Sequence, residues 1–134
     1  MGASAIIETA IARFWRDERG MLRGEVKPGV TITEQGAREN IKVLQQLSTG
    51  IPRPLLVDIR FVRVLPHREA RLLFASDDLK DTLSAVAFLI DSAVGIMMVK
   101  FFIRISKPPF PVQAFKTEAE ALEWIEAYVL NIES

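Results

Sequence analysis

The chain contains no cysteine. That absence removes thiolate catalysis, iron–sulfur clusters, cysteine-built zinc sites and disulfide frameworks. Histidine occurs once, at His67, which leaves little for other metal sites, and no metal or other cofactor is expected. Neither sign of charge dominates, since 17 Lys and Arg balance 17 Asp and Glu with no long run of either. A dedicated binder of nucleic acid or of an acidic membrane carries a basic excess, so nucleic acid is not an expected partner. The opening stretch MGASAIIETAIARFW lacks the cationic region and sustained apolar run of a secretory signal, and Ile6 stands where a myristoylation motif has Ser or Thr. The expected location is the cytoplasm.

The 134 residues suit one domain, residues 1–134, long enough to bury a core without disulfides or metals. Ala10 to Arg16 is strand-compatible, Asp17-Glu18-Arg19-Gly20 is a polar turn, and Met21 to Lys27 alternates apolar with charged residues, which together predict a β-hairpin. Pro28-Gly29 ends it. Thr33 can cap a helix from Glu34 to Leu47, whose residues Ala37, Ile41, Leu44 and Leu47 recur at helical spacing.

Ser48 to Pro54 is rich in breakers and reads as a turn. The run from Leu55 to Ile59 then predicts a third strand, covered on both faces. Pro66 suits a first helical turn, giving a second helix from His67 to Ala75, and Asp77, Asp78, Lys80 and Asp81 form a polar connection. Leu83 to Ile90, eight residues without a charge, is a fourth strand. Asp91-Ser92 can cap a third helix over Ala93 to Ile105. Pro108, Pro109 and Pro111 stop it, Val112 to Phe115 makes a short fifth strand at an edge, and Thr117-Glu118-Ala119-Glu120 has capping-box spacing ahead of a last helix. The order β-β-α-β-α-β-α-β-α describes an α/β fold with a mixed central sheet covered by helices.

In this element order the chain resembles the SpoIIAA-like, or STAS-type, domains, and more narrowly a group of uncharacterised bacterial SpoIIAA-like proteins. The likeness is carried by the hairpin around Gly20, by LLVDIRFVRVLPHREARLLFA from Leu55, by DSAVG from Asp91 and by PFPVQAFKTEAEALEW from Pro109. In the regulatory members a Ser or Thr at the start of the helix after the third strand is phosphorylated, and the added charge switches partner binding. The equivalent turn here reads Leu65-Pro66-His67-Arg68-Glu69, with no hydroxyl, so the resemblance does not carry the phospho-switch over.

Two readings stand beside each candidate site. His67 and Arg68 occupy the place of the switch hydroxyl, where an anion could meet a helix N-terminus; the plainer reading is an exposed helix start. Asp58 ends the third strand, and Arg60, Arg63, Arg68 and Arg71 follow where the sheet's C-terminal edge opens, a common place for ligands. Arginines there can recognise phosphate or carboxylate. The plainer reading pairs Arg60 and Arg71 with Asp58, Glu69 or helix-end carbonyls. Ser92 with Asp91 and Asp58 lacks the base and glycine-flanked elbow of a nucleophile, which leaves helix capping. Gly24, Gly29, Gly36 and Gly95 match no nucleotide fingerprint.

Leu83 to Ile105 is long enough to test as a membrane span, but Asp91 near its middle costs about 2.5–3.5 kcal/mol, and Lys100 and Arg104 add to that. A strand followed by a helix, and no integral membrane segment, is expected. Within that helix Lys100, Arg104 and Lys107 form a narrow basic stripe, while Val94, Ile96, Met97, Met98, Val99, Phe101, Phe102, Ile103 and Ile105 fill most of the rest. A helix on one sheet face needs only about a third of its surface apolar. The surplus fits a second subunit, and Met97, Met98 and Phe102 also suit an adaptable apolar pocket. The sequence thus points to a non-enzymatic interaction or regulatory module that forms a homodimer and contacts a protein partner, with a small binding protein for a lipid or other apolar ligand as the alternative.

Overall fold

The computed structural model describes residues 3–133. Six strands form one sheet: β1 (Ile7–Glu8), β2 (Ala12–Arg16), β3 (Leu22–Val26), β4 (Arg53–Asp58), β5 (Leu83–Leu89) and β6 (Val112–Phe115). Four helices join them: α1 (Glu34–Ser48), α2 (Arg68–Phe74), α3 (Ala93–Ser106) and α4 (Glu118–Glu133), with a 3-10 turn at Asp77–Asp81. Strand order across the sheet equals order along the chain. The pairs β1–β2 and β2–β3 are antiparallel, and every later pair is parallel.

That order decides where the helices go. A crossover between parallel neighbours is almost always right-handed, so three crossovers made in the same direction along a sheet put their helices on one face. The packing agrees. Ala37, Leu44 and Leu47 of α1, Ala70 of α2 and Met98 of α3 share one apolar cluster with Phe14, Leu55, Val57 and Val86 of the sheet. The other face is covered by α4, whose Ala121, Ile125 and Val129 meet Met21, Leu56, Ala87 and Leu89. Alternate residues of the β4 run, Leu55 and Val57 against Leu56, therefore serve opposite layers, as a strand covered on both faces requires.

Local chemistry holds the elements in place. In the β2–β3 turn the Asp17 carboxylate accepts from the backbone N–H of Arg19 and of Met21, both at 3.0 Å, and Gly20 adopts φ +88°. Thr33 caps α1 by accepting from Gly36 N–H at 3.2 Å, and Ser92 caps α3 by accepting from Gly95 N–H at 3.0 Å. At α4 the Thr117 hydroxyl accepts from Glu120 N–H at 3.2 Å and donates to the Glu120 carboxylate at 2.9 Å.

Three expectations need correction. A strand at Ile7–Glu8 precedes the hairpin and pairs with it, Ile7 opposite Phe14. The strand expected from Ala10 starts at Ala12, because Thr9 turns the chain: its hydroxyl accepts from Ala12 N–H at 3.1 Å. The strand expected from Leu55 starts at Arg53, inside the supposed breaker turn, and the β4–β5 register shifts between Arg53 and Pro54, an irregularity that admits a proline to a central strand. No helix among the described residues is long and apolar enough to cross a membrane.

Arg53 is fully buried. Its Nε donates to the Ser48 carbonyl at 2.8 Å, Nη1 to the Gly20 carbonyl at 2.9 Å and Nη2 to the Thr49 hydroxyl at 2.9 Å. Arg16 Nη1 donates to the neighbouring Leu47 carbonyl at 2.7 Å. Two guanidinium groups thus reach two of the open carbonyls at the C-terminus of α1, those of Leu47 and Ser48, in a helix with no basic residue in its own last turn. Burial, and then the nearby Arg16, lower the pKa of Arg53.

Candidate ligand-binding site

The helical layer is uneven. Helix α2 has 7 residues between α1 with 15 and α3 with 14, so it covers about 10 Å of sheet where its neighbours cover about 20 Å. Apolar residues of the β4–α2 loop, Ile59, Val62 and Leu65, fill part of the gap. The rest is a cavity of about 130 Å³. Its sheet side is made by Phe14 (β2), Val26 (β3), Leu55 and Val57 (β4), Val86 and Phe88 (β5) and Val112 (β6). The helices contribute Asn40 and Leu44 (α1), Arg71 and Phe74 (α2) and Met98, Val99 and Phe102 (α3). Phe88 and Phe102 meet edge to face, ring centroids 6.5 Å apart.

Only two of the lining residues are polar. Asn40 is buried, with its Oδ1 accepting from the Thr9 hydroxyl at 2.7 Å. Arg71 is half-buried. Its Nη1 donates to the Pro66 carbonyl at 2.6 Å, and its guanidinium carbon lies 5.4 Å from the centre of the Phe101 ring, so the side chain bridges α2 and α3.

The arginines singled out in the sequence separate. Arg60 lies exposed, and its guanidinium grips Asp58, Nη2 to Oδ2 at 2.7 Å and Nε to Oδ1 at 3.1 Å; this pairing raises the Arg60 pKa. Arg63 Nη1 donates to the Arg60 carbonyl. His67 and Arg68 are exposed at the start of α2, where His67 offers no side-chain cap. Of the four arginines and His67, Arg71 alone lines the cavity.

Helix α3 divides its surplus. Met98, Val99 and Phe102 turn to the cavity, while Val94, Met97, Phe101 and Ile105, at spacings of three, four and four, form an outward stripe. Met97 is 69% exposed, so it does not join Met98 and Phe102 in a pocket. Lys100 and Arg104 are exposed, and Ser92 is taken up as the α3 cap. Asn40 and Arg53 were not among the sequence candidates. Asn40 had a signal, a polar side chain in the stripe of Ala37 and Leu44; Arg53 was hidden between two prolines.

This architecture, a mixed sheet with three crossover helices on one face and a C-terminal helix on the other, is a SpoIIAA-like fold. It matches the crystal structure of an uncharacterised protein of the DUF3478 family with a SpoIIAA-like fold from Shewanella loihica, with a TM-score of 0.55 and 16% identity over 92% of this chain and 93% of that one. The sequence matches the model of a domain of unknown function, DUF7793, over residues 14–129, and the chain belongs to that family. No curated protein sequence matches it.

Proposed function

We propose that the protein is a non-enzymatic binding protein that takes a small apolar ligand between α3 and the sheet. The cavity carries this reading: about 130 Å³, with a lining apolar apart from Asn40 and Arg71. An apolar cavity of about 150 Å³ stays dry and accepts benzene, so this volume suits a ring or a short alkyl segment. Met98 and Phe102 can adjust to the occupant's shape. The polar groups near the sheet edge are occupied, Asp58 with Arg60 and Ser92 with α3, and none of the three lines the cavity. Native mass spectrometry of gently purified protein, followed by calorimetric titration with 1-octanol, tests the reading. A retained small-molecule mass or saturable octanol binding is expected; a clean apo mass together with no octanol binding would overturn it.

A second reading rests on the outward stripe of α3. Val94, Met97 and Ile105 are 64%, 69% and 59% exposed, and a second copy of the chain would bury this face symmetrically, giving a homodimeric interaction module. Light scattering at micromolar concentration tests it. A dimer that Met97→Glu converts to monomer is expected, and a monomer throughout would sink the idea.

A further inference from the structure

We propose that the ligand is an amphipathic monocarboxylate, its alkyl part in the cavity and its carboxylate on Arg71. This rests on the apolar-ligand reading and adds the chemistry of the head group. Arg71 is the one ionisable residue among those lining the cavity. It is half-buried, and among the described residues no carboxylate pairs with it. Its single hydrogen bond uses Nη1, to the Pro66 carbonyl at 2.6 Å, which leaves Nε and Nη2 without a protein acceptor.

Those two donors form one edge of the guanidinium, the geometry that receives both oxygens of a carboxylate. The Pro66 carbonyl and the Phe101 ring hold the group in place before any ligand arrives, so less side-chain entropy remains to be lost on binding. A monoanion matches the charge available, since one cationic residue borders the cavity and the other polar group, Asn40, is neutral and engaged by Thr9. An uncharged ligand makes no charge-assisted contact with these donors and leaves them to solvent, which sets the selectivity as well as the affinity.

Calorimetric titration with octanoate, 1-octanol and octylamine separates the two readings. Octanoate is expected to bind at least about tenfold more tightly than 1-octanol, from one charge-assisted bidentate contact, and octylamine more weakly than both. Arg71→Met should remove the preference for octanoate while leaving octanol binding; Arg71→Lys should keep part of it. Equal affinity for octanoate and octanol in the unaltered protein overturns the carboxylate assignment and leaves the apolar pocket standing. Binding of none of the three overturns both. The comparison of head groups in the unaltered protein does not depend on either variant folding.

Discussion

Gly24 offers a sharp test of how the cavity side of the sheet is packed. In the β2–β3 register Gly24 faces Phe14, whose ring lies across it. A Cβ at residue 24 would stand 2.6 Å from Phe14 Cε1 and 2.7 Å from Cδ1, against 3.4–4 Å for ordinary contact, with Val57 Cγ2 at 3.4 Å on the other side. In Gly24→Ala the ring must therefore retreat by about 1 Å, toward the cavity that it lines. Overpacking of this kind costs about 1–3 kcal/mol. Replacing glycine in a strand returns about 0.5–1 kcal/mol of backbone entropy, so the net loss should be about 0.5–2 kcal/mol, or a few degrees in Tm. Because Phe14 lines the cavity, the ring has room to move there, and octanol binding should weaken as the cavity shrinks. Urea unfolding and octanol titration of Gly24→Ala, Phe14→Leu and the double variant read both effects. The double variant should be more stable than the sum of the single losses implies, since Leu clears the clash. A Gly24→Ala protein as stable as the parent, with strictly additive losses in the double variant, would refute this account of the Phe14–Gly24 contact.

Ile125→Ala removes a fully buried side chain from the layer under α4 and should cost about 2–5 kcal/mol, whereas Leu130→Ala, on the exposed side of the same helix, should stay within about 0.5 kcal/mol in the same urea experiment. Arg53→Met takes the guanidinium donors from the Gly20 and Ser48 carbonyls, the latter keeping the Thr49 hydroxyl, and should lower stability by about 2–3 kcal/mol; a neutral result would mean water replaces the guanidinium. Ser92→Ala uncaps α3 and should cost about 1 kcal/mol by thermal melting, with Ser92→Asp close to the parent. Lys27 first, and Arg13 after it, hold the exposed Glu8 carboxyl below its ordinary pKa. Its stabilising effect is therefore present above the unfolded-state value and lost as pH falls through the folded one, so Glu8→Gln should flatten the acid side of the stability–pH profile, and an unchanged profile would contradict the pairing.

Features set by a few neighbouring residues were legible in the sequence. The hairpin around Gly20, the caps at Thr33, Ser92 and Thr117, and the apolar stripes of α1 and α4 each depend on spacing within one or two turns of chain. Strand β1 was missed because two residues, Ile7 and Glu8, carry no periodicity and are held by their partner β2. Arg53 was read as part of a turn because Pro52 and Pro54 flank it, and only its pairing with Leu83 of β5 makes it a strand residue. The excess of apolar surface on α3 was visible, but its division into Met98 and Phe102 inside and Met97 outside depends on how the helix is rotated against the sheet. The cavity was least legible of all. It arises from the difference in length between α2 and its neighbours, together with loop side chains distant in sequence, and no local pattern encodes that sum.

The arrangement of three helices on one face and α4 on the other bears on how the domain is made in a cell. Strands β2 to β6 and the three crossover helices can assemble as they emerge during translation, each strand docking beside the one before it. The second face, with Met21, Leu56, Ala87 and Leu89, stays bare until α4 emerges, the last of the domain's elements to do so. A nascent chain halted before Glu118 would therefore present a broad apolar sheet, the kind of surface that chaperones shield and that drives aggregation. Completion of the fold is tied in this way to the emergence of α4, and a truncation that removes α4 should yield insoluble protein even though every residue of the ligand cavity is still present.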